Sequence, residues 1–138
     1  MPSVSITFPL KDKLTSLGIV PDPKITLLVL TKYGYEPFTF LLDTGADCTM
    51  APASLAEDIG IDLQTCPIVH SWGIEGEGIT TYAGKIKVMI GSEELEIKCL
   101  FSEKETTPYI LGRMDIFSHF NITFDNANKV IILTKISA

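Results

Sequence analysis

The chain of 138 residues is poor in the residues that most small frameworks and metal centres need. It has three cysteines, Cys48, Cys66 and Cys99, and no Cys-x-x-Cys pair. An odd, scattered set argues against a disulfide framework and against a structural zinc site, and it suits a reducing compartment such as the cytoplasm. His70 and His119 are the only histidines and lie far apart in sequence, so they read as two ordinary side chains rather than metal ligands, and no cofactor is expected. Positive charge is also scarce: eleven Lys and Arg against seventeen Asp and Glu leave −6, which speaks against a nucleic-acid partner. The most apolar stretch, Ile25–Leu30, is far short of a membrane span. The first residues carry neither a basic start nor a secretory apolar core. Long repeats, low-complexity tracts and linkers are missing as well, so residues 1–138 are expected to form a single domain.

The composition that remains, 46% apolar and 20% charged, is that of a globular domain and excludes a disordered tail or a coiled coil. Gly and Pro punctuate short β-branched and aromatic runs, which predicts a mostly β chain. Val4, Ile6, Phe8 and Leu10 alternate with smaller or polar residues, a half-buried strand that Pro9 marks as an edge. Ile25–Thr31 and Phe38–Leu42 read as strands around a turn at Tyr33–Pro37. Ala51–Gly60 is the clearest helix, with Pro52 in its first turn and Gly60 past its end. Ile68–Ile90, holding Gly73, Gly76, Gly78 and Gly84, reads as a long hairpin with a Gly-rich tip. Gly91-Ser92 and Asp125–Asn128 sit between further strand pairs, and Arg113–Phe120 has the spacing of a short helix.

Strand Phe38–Leu42 runs directly into Asp43-Thr44-Gly45. Alone, this tripeptide also fits a turn, because Asp accepts local backbone hydrogen bonds and Gly permits tight geometry. Its surroundings narrow the reading. It continues as Ala46-Asp47-Cys48-Thr49, a Gly-rich hairpin follows, and Tyr109-Ile110-Leu111-Gly112-Arg113 precedes the expected short helix. This order, over roughly residues 38–120, resembles the retropepsin-like aspartic proteases. The resemblance implies an all-β fold with one or two short helices, closed and barrel-like, with a flap hairpin. It also implies hydrolysis of peptide bonds in extended polypeptide segments.

Peptide hydrolysis without a metal needs a base to activate water and an acid to polarise the carbonyl. Two adjacent carboxyls sharing a proton supply both, because like charges so close cannot both ionise. The chain has one Asp-Thr-Gly and no second copy, so the pair requires a homodimer in which Asp43 meets the Asp43 of its partner. By resemblance, Asp43, Thr44 and Gly45 are the catalytic triplet. Thr44 ties the two loops across the dimer axis, although a simple turn threonine is the plainer alternative. Ala46 and Asp47 hold the substrate backbone, and Asp47 and Arg113 form an ion pair, or else are two unrelated surface charges. Ile110 lines a side-chain pocket or serves the core. Trp72, Gly73 and Ile74 belong to the flap, where an extended peptide would add as a strand, or else Trp72 packs into its own domain.

One departure stands out. Viral members end soon after the helix, whereas here Ile122–Ile136 is long enough for a whole hairpin, which is closer to cellular or bacterial members. Val130–Ile136 and the first strand are then expected at the subunit contact. Three other readings compete. A binding or dimerisation module can keep the fold without catalysis. A protease can act mainly on its own precursor. A Cys48 nucleophile paired with His70 or His119 would be a different hydrolase chemistry.

Overall fold

The computed structural model describes residues 4–72 and 78–136. Twelve strands, one α-helix and one 3-10 turn follow in order among these residues: β1 (Ser5–Pro9), β2 (Lys11–Thr15), β3 (Gly18–Asp22), β4 (Lys24–Thr31), β5 (Gly34–Leu42), β6 (Thr49–Pro52), α1 (Ala53–Ile59), the 3-10 turn Leu63–Thr65, β7 (Ile68–Trp72), β8 (Gly78–Ile90), β9 (Glu93–Ser102), β10 (Ile110–Leu111), β11 (Phe120–Asp125) and β12 (Val130–Lys135).

The main sheet has the order β4-β5-β10-β6-β9-β8-β7, and β4 also pairs with β8 through Leu28↔Met89 and Val29↔Val88. The sheet therefore returns on itself as a ring-like layer. Alternation along the strands decides what fills it. Ile25, Leu27 and Val29 of β4 point inward between exposed neighbours, and Ile86, Val88 and Ile90 of β8 do the same. Phe40, Leu42, Ile97 and Phe101 complete this core, each side chain worth about 1.5–3 kcal/mol when fully buried. The one buried hydroxyl of β4, Thr31, has Glu36 Oε1 at 2.6 Å and the Gly34 carbonyl at 2.9 Å as acceptors for its single proton, and it accepts from Tyr33 N–H at 3.1 Å.

Helix α1 packs Leu55 and Ala56 onto the sheet and stops where Gly60 adopts φ 94°, a left-handed conformation that glycine takes without Cβ strain. Its start lies later than the sequence suggests, because Ala51 and Pro52 belong to β6. A second sheet, β1-β12-β11, is built entirely from this chain, with β12 in the middle and Pro9 on an edge strand as expected.

Three local expectations are corrected. Lys11–Asp22 forms a separate two-stranded ribbon, β2–β3, which the hydrophobic pattern did not mark. The turn after β4 is only Lys32-Tyr33, and Pro37 lies within β5 opposite Leu28. Pro37 is tolerated there because β10 pairs with β5 only at Leu41 and Leu42, so a missing N–H at position 37 breaks no bond to β10. Arg113–Phe120 is a run of turns rather than a regular helix. Phe117 N–H reaches the Arg113 carbonyl at 2.9 Å, but Asp115 at φ 67° interrupts the helical path. Among the described residues no helix is long and apolar enough to cross a membrane.

Candidate active site

Strand β10 occupies the slot between β5 and β6, parallel to the first and antiparallel to the second. The loop that joins those two strands, Asp43–Cys48, must therefore pass over the end of β10, and the main chain of residues 111–114 holds it there. Asp43 N–H donates to the Leu111 carbonyl at 3.0 Å. Arg113 N–H donates to the Ala46 carbonyl at 3.0 Å, and Met114 N–H to the Asp47 carbonyl at 2.9 Å. Beneath the loop, Gly112 N–H donates to the buried Thr49 hydroxyl at 3.2 Å. These bonds satisfy the backbone groups of an irregular segment that no ladder serves.

Within the loop, Gly45 N–H donates to Asp43 Oδ1 at 2.9 Å, and Ala46 N–H to the Asp43 carbonyl at 3.2 Å. A Cβ at position 45 would stand 3.3 Å from the same Oδ1, so glycine keeps this approach unstrained. The Asp43 carboxylate is thus oriented by its own loop, and the residue is only half-buried. Thr44 and Asp47 are exposed, Ala46 is half-buried. Arg113 clamps the loop from the other side: Nη1 donates to the Thr44 carbonyl at 2.8 Å and Nη2 to the Asp47 carboxylate. Asp47 and Arg113 are therefore an ion pair, not two unrelated charges. Ile110 is half-buried in β10 between Leu41 and Met50. Tyr109, just before it, stacks on Phe38 and meets Phe40 edge-on, and its carbonyl accepts Leu41 N–H at 2.8 Å. Burial, and to a lesser degree the Asp58 and Glu105 carboxylates, raises the Tyr109 phenol above its usual pKa.

The structure brings together Asp43, Thr44, Gly45, Ala46, Asp47, Ile110 and Arg113. It places Trp72 at the end of β7, opposite Gly78, so β7 and β8 form two arms of a hairpin. Gly73 and Ile74, with the rest of the expected flap tip, lie outside the described residues. Sequence reasoning quoted Thr49 without giving its hydroxyl a role, and it missed Pro23, whose carbonyl takes Leu42 N–H at 2.8 Å next to Asp43.

The cysteine-nucleophile reading finds no support in this geometry. Cys48 Sγ donates to the Lys98 carbonyl at 3.6 Å, while the His119 ring nitrogen lies 2.9 Å from the Asp115 carbonyl and His70 is exposed on β7. Burial is the main cause that raises the Cys48 pKa, which disfavours the thiolate a nucleophile needs. Among the described residues no group of three or more His, Cys, Asp or Glu is placed to hold a metal.

A mostly β ring-like sheet with an Asp-Thr-Gly loop stitched down by Ile-Leu-Gly-Arg defines the retropepsin-like class. The sequence profile of the family described as Aspartyl protease matches residues 27–114, well over half of the chain, and the chain belongs to that family. In fold it is similar to a retropepsin-like aspartic protease from Rickettsia conorii, with 17% identity, a TM-score of 0.63, and coverage of 98% of this chain and 96% of that one. It is also similar to the protease of EIAV, solved with the inhibitor HBY-793, with 19% identity, a TM-score of 0.52, and coverage of 67% and 82%. No curated protein matches it by sequence.

Proposed function

We propose that this chain is an aspartic endopeptidase of the cytoplasm that needs no cofactor, cleaves extended peptide segments, and builds its active site from two copies of Asp43. The observation that carries the reading is a half-buried Asp43 held at the end of β5 by Gly45 N–H, in a chain with a single Asp-Thr-Gly.

The chemistry follows from what one carboxyl lacks. The ionised Asp43 takes a proton from a bridging water as the water oxygen attacks the scissile carbonyl carbon. The protonated Asp43 of the partner subunit donates to the carbonyl oxygen, and a tetrahedral diol forms. A proton then passes to the amide nitrogen, the C–N bond breaks, and the products are an acid and an amine. No covalent enzyme intermediate arises. One proton shared between the two carboxyls lets one act as base while the other acts as acid. Thr44 ties the paired loops, and Ala46 and Asp47 hold the peptide backbone. The small side chain of Ala46 leaves room for the peptide. Ile110 lines a pocket for an apolar side chain beside the cut. The β7–β8 hairpin, with Trp72, Gly73 and Ile74, covers the peptide as an added strand and excludes water.

Incubation with a peptide library, read by mass spectrometry, tests the proposal. Reproducible cuts by the parent chain that fall by roughly 10³-fold or more in Asp43→Asn are expected. The amide oxygen of that replacement still accepts from Gly45 N–H, so fold and association should persist. Peptide binding without cuts would assign the chain to a non-catalytic module instead, and full activity in Asp43→Asn would end the proposal.

A further inference from the structure

Among the described residues, three of the four most exposed large apolar side chains lie on the β2–β3 ribbon, the fourth being Tyr33 in the β4–β5 turn. Leu17 at its tip is 99% exposed, Leu14 81% and Ile19 70%. Leu14 and Ile19 stand directly opposite one another in the register, so they share one face. Among the described residues its strands pair only with each other, and Lys129 Nζ donates to Asp12 Oδ1 at 3.2 Å near its base. A two-stranded hairpin is marginal in water unless something packs against it. An exposed cluster of this kind on a folded chain marks an interaction surface.

Its position says which surface. The last residue of the ribbon, Asp22, precedes Pro23, whose carbonyl accepts Leu42 N–H at 2.8 Å, and Lys24 stands opposite Leu41. The ribbon therefore leaves the sheet at the end of β4–β5 that carries Asp43. That is the end at which the second Asp43 has to arrive. Five paired residues give the ribbon a reach of about 17 Å at ~3.4 Å per residue, enough to cross from one loop onto a neighbouring subunit.

We infer that the β2–β3 ribbon is an arm that grips a second copy of this chain and so completes the catalytic pair, an inference that rests on the paired-Asp43 reading. Leu14, Leu17 and Ile19 are its contact residues. With roughly 60–120 Å² for each aliphatic side chain that becomes fully buried, two reciprocal arms supply roughly a third to a half of the area a stable dimer needs, about 1,200 Å². The ribbon backbone and the facing Asp43 loops provide the remainder.

Sedimentation of the parent chain and of L14K/L17K/I19K across a concentration series tests this, with peptide cleavage measured on the same samples. Circular dichroism confirms that the variant keeps its β structure. Leu17→Glu alone, at a fully exposed tip, provides a second variant that leaves the core untouched. The expected result is dimerisation by the parent, a dissociation constant at least about tenfold weaker in both variants, and cleavage in the variants that recovers as concentration rises. Equal association of parent and variants overturns the arm, and if both still cleave peptides the Asp43 pair survives it. A parent that dimerises through the ribbon yet never cleaves supports the arm and removes the protease reading. A parent that stays monomeric at every concentration overturns the arm, and co-sedimentation of that monomer with anionic phospholipid vesicles would reassign the ribbon to a lipid surface.

Discussion

Gly112 and the main chain of Cys48 leave no room for a side chain between them. A Cβ on Gly112 would stand 2.5 Å from the Cys48 carbonyl oxygen and 2.8 Å from its amide nitrogen. Both obstacles are backbone, which cannot rotate away. Gly112→Ala must push the Asp43–Cys48 loop off β10 and strain the Gly112 N–H bond to Thr49. Overpacking of this kind costs about 1–3 kcal/mol. The melting temperature should fall by roughly 4–12 °C, and cleavage should fall with it, as read by thermal denaturation and a peptide assay.

Arg113 separates positioning from stability. Its guanidinium is 44% exposed and its partner Asp47 86%, so the ion pair itself is worth only about 0–1 kcal/mol. Its second contact, to the Thr44 carbonyl, fixes the loop that orients Asp43. Lysine cannot reproduce the planar two-pronged grip. Arg113→Lys should change the melting temperature by no more than a few degrees, while kcat/KM drops about tenfold or more. An unchanged kcat/KM would show that the loop holds its shape without the clamp.

The thiols should be poor nucleophiles. Cys99 is buried within β9 and its pKa is raised, chiefly by burial; Cys48 is raised for the same main reason. A raised thiol pKa means the thiolate appears only at a higher pH than in a free cysteine. Iodoacetamide at neutral pH should label Cys48 and Cys99 far more slowly in the folded chain than in denaturant, with Cys48 accelerating as pH rises. Cys48→Ser should still cleave peptides.

Acid should loosen the last hairpin. The Asp125 carboxylate accepts Asn128 N–H at 3.0 Å and Asn128 Nδ2 at 2.8 Å, and these bonds lower its pKa from the ordinary 3.8. A carboxylate depressed in the folded state contributes stability above its unfolded pKa, and this is lost as pH falls through the folded value. The difference in melting temperature between the parent and Asp125→Ala should therefore shrink as the pH is taken below the ordinary value of 3.8.

The β architecture was legible where burial follows the pleat. Ile25, Leu27 and Val29 alternate cleanly, and Gly60 and Gly91-Ser92 punctuate where the chain turns. The β2–β3 ribbon was not legible, because Leu14, Leu17 and Ile19 face solvent and imprint no core pattern. The stretch Arg113–Phe120 has helical spacing, but a single left-handed residue, Asp115, overrides it. At the site, Asp43, Ala46, Asp47 and Arg113 could be read from the order of short motifs. The bonds that hold them could not. Thr49 and Gly112 are 63 residues apart, and no local pattern in either segment announces that they meet.

Strand β12 lies between β1 and β11 of its own chain, with both edges already paired. No rung on it remains for another molecule to fill, so subunits can come together and part without unravelling that strand. If two copies of Asp43 form the site as proposed, turnover at low abundance rises with the square of chain concentration. A cell could hold such a protease silent simply by making little of it.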